Sequence, residues 1–152
     1  MEREKNVVAR NKKARHNYFI LETLECGIVL TGTEMKSVRA SKISIQDAFC
    51  QVENEELFIF NMHIAKYSQG NRFNHDETRK RKLLAHKRQI KRLMGKVAQE
   101  GLTIIPLEVY IVRGYAKVEI ALAKGKKQYD KRETLKRKQV DREIHRRLKQ
   151  RY

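Results

Sequence analysis

The 152-residue sequence is poor in the features that mark enzymes, secreted frameworks and membrane proteins. It has two cysteines, Cys26 and Cys50, set 24 positions apart. That spacing gives neither a disulfide framework nor a paired metal-ligand motif, so both read as buried or half-buried thiols. No stretch approaches the roughly 18 consecutive apolar residues of a spanning helix, and Met1 to Lys5 lacks the apolar segment of a secretory signal, so a soluble cytoplasmic protein is expected. HExxH, P-loop, GxSxG and GxGxxG patterns are all missing, and His16, His63, His75, His86 and His145 are scattered. A helix start accounts for Asp76 and Glu77 beside His75, and a strand and a turn account for Asp47 and Glu53. No enzymatic activity, metal or cofactor is expected.

Acidic residues are also scarce: 18 stand against 35 Lys plus Arg, a net charge of +17 that calls for a polyanion such as nucleic acid. The excess is unevenly placed. Residues 1–15 carry net +4, residues 76–100 net +6 and residues 124–152 net +9, leaving net −2 on the remaining 83. The expected organisation is therefore a basic N-terminal arm (1–15), a near-neutral core (16–123) with an inserted basic helical segment (76–100), and a basic tail (124–152).

The core reads as β-structure. Tyr18 to Glu25 and Gly27 to Met35 suggest a hairpin turning near Glu25-Cys26-Gly27. Ala48 to Val52 and Leu57 to Ile64 flank the turn Glu53-Asn54-Glu55-Glu56, where Asn54 tolerates a left-handed backbone. Thr103 to Val112 and Tyr115 to Ala123 flank Arg113-Gly114, and the only proline, Pro106, predicts an edge or bulge in the first of these strands. Six strands in three hairpins without βα repeats favour a small antiparallel barrel. Helices are expected from Asp76 to Gly101, with Leu83, Leu84, Ile90, Leu93, Met94 and Val97 on the packed face, and from Ser41 to Ala48. The tail has too little apolar area to fold alone, but Val140, Ile144 and Leu148 fall four apart, so it would become helical against RNA.

Several segments carry a resemblance: Asn11-Lys12-Lys13-Ala14-Arg15 before Tyr18-Phe19-Ile20, Glu25-Cys26-Gly27-Ile28, Gly32-Thr33-Glu34-Met35-Lys36-Ser37-Val38-Arg39, Arg79-Lys80-Arg81-Lys82-Leu83-Leu84, and Ala123-Lys124-Gly125-Lys126-Lys127-Gln128-Tyr129-Asp130-Lys131-Arg132. In this order, from about residue 6 to 132, they resemble the small protein B family, the SsrA-binding proteins of bacterial trans-translation. The resemblance implies a mainly β fold, an oligonucleotide-binding (OB)-like barrel of six strands with about three flanking helices and a tail that is disordered when free. It implies a factor that binds the tRNA-like domain of transfer-messenger RNA. With elongation factor Tu and GTP it would bring that RNA to stalled 70S ribosomes, the tail entering the small-subunit decoding centre and the empty mRNA channel. A monomer without membrane association is expected.

By position, the resemblance implies an RNA-facing surface of Asn11, Lys12, Lys13, Arg15, Glu25, Lys36, Arg39, Arg79, Arg81, Lys82, Leu84 and Lys117. It implies decoding-centre contacts from Lys124, Lys126, Lys127, Tyr129, Asp130, Lys131 and Arg132. Glu25 is either a turn carboxylate or an acceptor for base amino groups and 2′-hydroxyls. Either Leu83 or Leu84 points away from the apolar stripe, where it can stack on a base. The sequence departs from the family pattern at Cys26, where alanine is common, and at Glu77, where proline is common. At Tyr129 histidine also occurs in the family. Two other classes fit the composition. A generic single-strand-binding barrel would place its charge and aromatic platforms on the barrel itself. A structural ribosomal protein fits the neutral core and basic extensions, and would differ in staying on ribosomes through a high-salt wash.

Overall fold

The computed structural model describes residues 5–67, 75–127, 132, 139–140, 142–144 and 146. Its frame is a strand running without interruption from Tyr18 to Ile28 (β2), with a four-residue helix, α1 (Ala14–Asn17), immediately before it. No turn forms at Glu25-Cys26-Gly27. Cys26 is buried as an inward member of the alternation, and Gly27 is glycine because of close approach: a Cβ there would stand 3.3 Å from the Leu84 Cβ.

Beyond β2, the expected strand to Met35 is replaced by a helix, α2 (Gly32–Arg39). Thr31 and Glu34 form a capping box, the Thr31 side chain accepting from the Glu34 amide and the Glu34 carboxylate accepting from the Thr31 amide. That pattern overrides the alternation of threonines. The helix expected from Ser41 to Ala48 is likewise absent. Ser41 takes φ +60°, and Ile43–Ser44 (β3) pairs with His63–Ile64 (β6) instead.

The central hairpin is close to expectation: Phe49–Glu53 (β4) pairs with Glu56–Phe60 (β5) across Asn54 and Glu55, both at positive φ. Arg81–Leu84 then forms a strand (β7), not the first turns of a helix, and α3 covers only Lys87–Glu100. The physical reason is Arg81. It occupies an inward position beside inward Leu83, with Lys82 and Leu84 outward, so a period-2 strand carries a cation where an apolar residue is normal. Helix α3 buries Ile90 and Leu93 and ends at Gly101, φ +62°.

The final hairpin, Thr103–Val112 (β8) and Tyr115–Gly125 (β9), turns at Arg113-Gly114 as expected, and the register shifts between Pro106 and Glu108, so the proline marks a bulge. Strands β2, β7, β5, β4, β8 and β9 pair in that order, and β9 returns to β2, closing an OB-like antiparallel ring of six. Its core includes Leu57, Ile59, Leu83, Val118, Ile120 and Leu122.

The expected N-terminal arm is partly built into this barrel. Asn6–Arg10 (β1) pairs with β8 from Glu108 to Ile111, whereas β4 meets β8 at Cys50 and Ile104. Thus β1 takes over the edge of β8 beyond the bulge. No described helix is long and apolar enough to cross a membrane.

Candidate nucleic-acid interface

Two neighbouring grooves lie on the outer face where β2, β9 and β8 run side by side. The first is lined by Glu25, Gly27, Leu84, His86, Gln89 and Lys117. Register explains the assembly: Gly27 pairs with Leu84 on one side and with Lys117 on the other, and Lys117 pairs with Tyr110. Leu84 is 51% exposed while Leu83 is buried, so Leu84 is the leucine that faces out.

The second groove is lined by Arg10, Asn11, Lys12, Arg15, Glu108 and Glu119. Glu25 pairs with Glu119, Glu119 with Glu108 and Glu108 with Arg10, so one cross-strand row runs along both grooves. Asn11 is fixed by the β8 bulge: its carboxamide donates to the Pro106 carbonyl at 3.1 Å and its amide to the Leu107 carbonyl at 2.8 Å. Lys12, Lys13 and Arg15 are exposed around it.

The carboxylates in this row are held by neighbours. Lys5 pairs with Glu108 and reaches Glu119 at 4.0 Å, and its ammonium lies 4.3 Å from the centre of the Tyr110 ring. The Tyr110 hydroxyl donates to Glu25 Oε2 at 2.5 Å. Burial and the nearby Glu25 carboxylate push the Tyr110 phenol well above its usual range. Burial, then the Glu25 charge, push the Cys26 thiol up to about 12, so it stays protonated and inert.

Other expected residues lie elsewhere. Arg81 is fully buried and is withdrawn from the RNA-facing set: its guanidinium donates to Glu34, to the Met62 carbonyl at 2.7 Å and to the Arg79, Asp76 and Glu77 carbonyls at 3.2 Å. Arg79 is half-buried and shares the Glu34 carboxylate. Burial would raise the Glu34 carboxyl, but hydrogen bonds from Arg79, the Thr31 amide and Arg81 hold it below the usual carboxylate range. Lys82 is exposed and pairs with Glu56 at 3.3 Å. Lys36 and Arg39 are exposed on α2, lining neither groove, with the Lys36 ammonium 5.1 Å from the Tyr67 ring centre.

The chain leaves the barrel beside the second groove. Exposed Lys124 lies at the end of β9. The Lys126 amide donates to the Asn17 carbonyl at 2.8 Å, its ammonium donates to the Arg15 carbonyl at 3.0 Å, and Lys127 is exposed. Tyr129, Asp130, Lys131 and Leu148 lie outside the described residues. Arg132, Val140 and Ile144 are described, each helical and exposed.

Sequence reasoning passed over His86, Gln89, Tyr110, Glu108 and Glu119. His86 and Gln89 had a usable signal, since a cap position followed three residues later by glutamine marks a helix start, and the His86 amide donates to Gln89 Oε1 at 3.1 Å. Tyr110 and the two glutamates become visible only through strand register.

The family model described as SmpB protein matches residues 8–150. The SsrA-binding protein of Shouchella clausii is 60% identical over 148 residues, 97% of this chain and 95% of that protein. That of Enterococcus faecalis is 58% identical over 146 residues, 96% and 95% of the two chains. A solved structure described as "tmRNA-SmpB: a journey to the center of the bacterial ribosome" contains a chain 49% identical, with TM-score 0.66, covering 83% of this chain and 92% of that one. With its barrel, its paired grooves and matches spanning nearly its whole length, this chain belongs to the SmpB protein family.

Proposed function

We propose that this protein binds the tRNA-like domain of transfer-messenger RNA and carries it to stalled ribosomes in trans-translation, acting as a binding factor and not as an enzyme. The observation that carries this reading is the joining of Glu25, Leu84 and Lys117 in one groove, next to a second groove bearing Asn11, Lys12 and Arg15. Such a surface offers what folded RNA requires. Cations neutralise phosphates, a carboxylate accepts hydrogen bonds from base amino groups or 2′-hydroxyls, and an exposed leucine covers an unstacked base. Lys13 extends the phosphate contacts, while Lys36, Arg39 and Lys82 add a more distant positive field.

The tail begins against Arg15, so RNA held in the grooves and a tail reaching away from them are compatible in one copy of the chain. Lys124, Lys126, Lys127, Tyr129, Asp130, Lys131 and Arg132 would enter the decoding centre and Val140, Ile144 and Leu148 would form a helical stripe in the empty mRNA channel. Elongation factor Tu with GTP would join through the RNA, and the protein would act as a monomer in the cytoplasm. Gel-shift titration at fixed salt tests the first step: the isolated tRNA-like domain should bind far more tightly than an ordinary tRNA, and equal affinities would refute the reading.

A further inference from the structure

An acidic side chain at the centre of an RNA-binding groove repels phosphate unless its oxygens are aimed at hydrogen-bond donors. The structure shows how Glu25 is aimed. Its Oε2 accepts from Tyr110, which is 3% exposed, lies two strands away across β9 and stands beside Lys117 in register. Lys5, just before β1, covers the Tyr110 ring and is tied to Glu108 of β8 and Glu119 of β9, which helps hold the phenol in place.

We infer that Tyr110 is a positioning residue for RNA recognition, its hydroxyl fixing the Glu25 carboxylate so that it meets a nucleoside donor, a base amino group or a 2′-hydroxyl. This rests on the RNA-binding role proposed above. One carboxylate oxygen is engaged from below by the phenol, and the group as a whole is exposed toward the groove. A carboxylate free to rotate would lose conformational entropy on each binding event, whereas a fixed one has already lost it. Lys117, in register with Tyr110 and lining the same groove as Glu25, adds the phosphate attraction that offsets the negative charge.

The test is a double-mutant cycle read by RNA titration over a range of salt. Tyr110→Phe removes one oxygen and keeps the ring beneath Lys5. It should weaken binding of the tRNA-like RNA about tenfold, the scale of a lost hydrogen bond to a charged group, with an unchanged salt slope. In a Glu25→Ala background the same substitution should cost almost nothing, because Tyr110 acts through Glu25. Alkaline titration of tyrosinate absorbance provides a second readout. Among the six tyrosines, a late-ionising one should vanish in Tyr110→Phe and shift toward the ordinary range in Glu25→Ala. Additive losses, unaltered affinity in Tyr110→Phe, or loss of its cooperative melt would each overturn the inference. A parent protein that binds ordinary tRNA as tightly as the tRNA-like domain would instead refute the selective role proposed above.

Discussion

Replacing Glu34 by glutamine removes one negative charge from the best-buried polar cluster among the described residues. Glu34 and Arg81 are both 0% exposed, and the carboxylate also takes Arg79 and the Thr31 amide. The glutamine keeps the size and one acceptor oxygen but leaves the Arg81 guanidinium buried without its counter-charge. Breaking a buried pair by removing one partner costs about 3–5 kcal/mol. A domain of this size has roughly 5–15 kcal/mol in total, so the change consumes a large fraction of the stability. At about 2–4 °C per kcal/mol, the melting temperature should fall by roughly 6–20 °C.

The pH dependence has a definite sign. The folded-state pKa of Glu34 lies below the ordinary carboxylate range, so its stabilisation is fully present above that range and is lost as pH falls through the folded pKa. Urea denaturation between pH 7 and pH 3 should therefore show the parent losing stability on acidification more steeply than Glu34→Gln. RNA affinity of the folded variant at neutral pH should match the parent, because the cluster lines neither groove. A melting shift under 2 °C, or parallel pH profiles, would refute the role given to this cluster.

Further outcomes follow from the site and the tail. Lys12→Ala, Lys13→Ala and Arg15→Ala should each lower the slope of log affinity against log salt by about 0.7–0.9, whereas Glu25→Gln should weaken binding without changing it; identical slopes would exclude phosphate contact. Gly27→Ala should push Leu84 out of position, since the new Cβ meets the Leu84 Cβ at 3.3 Å, and weaken RNA binding more than it weakens the fold in parallel titrations and melts. Ending the chain after Lys127 keeps β9 and the Lys126 contacts, so it should retain a cooperative melt and RNA binding while abolishing tagging of stalled chains. Tyr129→Ala should impair tagging but not transfer-messenger RNA affinity, at the scale of roughly 1–3 kcal/mol for a stacked base, and Tyr129→His should restore it.

What could be read from the sequence followed the strength of local signals. Asn54 and Arg113-Gly114 identified two hairpins because left-handed positions leave a chemical trace, and Pro106 did the same for the bulge. The six-stranded barrel was recovered, but not all its strands. β7 escaped because its inward Arg81 is satisfied by Glu34, a partner 47 positions away that no local pattern reveals. The missed α2 had a legible cap at Thr31 and Glu34, outweighed by threonines suited to a strand. At the site, Glu25, Leu84 and Lys117 came from family resemblance, and their juxtaposition came from register. Tyr110 was hidden for that reason: its relation to Glu25 exists only after β2, β9 and β8 align.

The pairing of β1 with β8 bears on how the protein is made. Residues Asn6 to Arg10 leave the ribosome well before their partners Glu108 to Ile111, which lie about a hundred positions later. Contacts this distant in sequence form late, since the closure entropy of the loop must be overcome before they add stability. During synthesis β1 therefore waits, with Asn11 unable to reach the Pro106 bulge and Lys5 unable to cover Tyr110. A nascent chain interrupted before β9 lacks Lys117 and Glu119, so neither groove is complete in it.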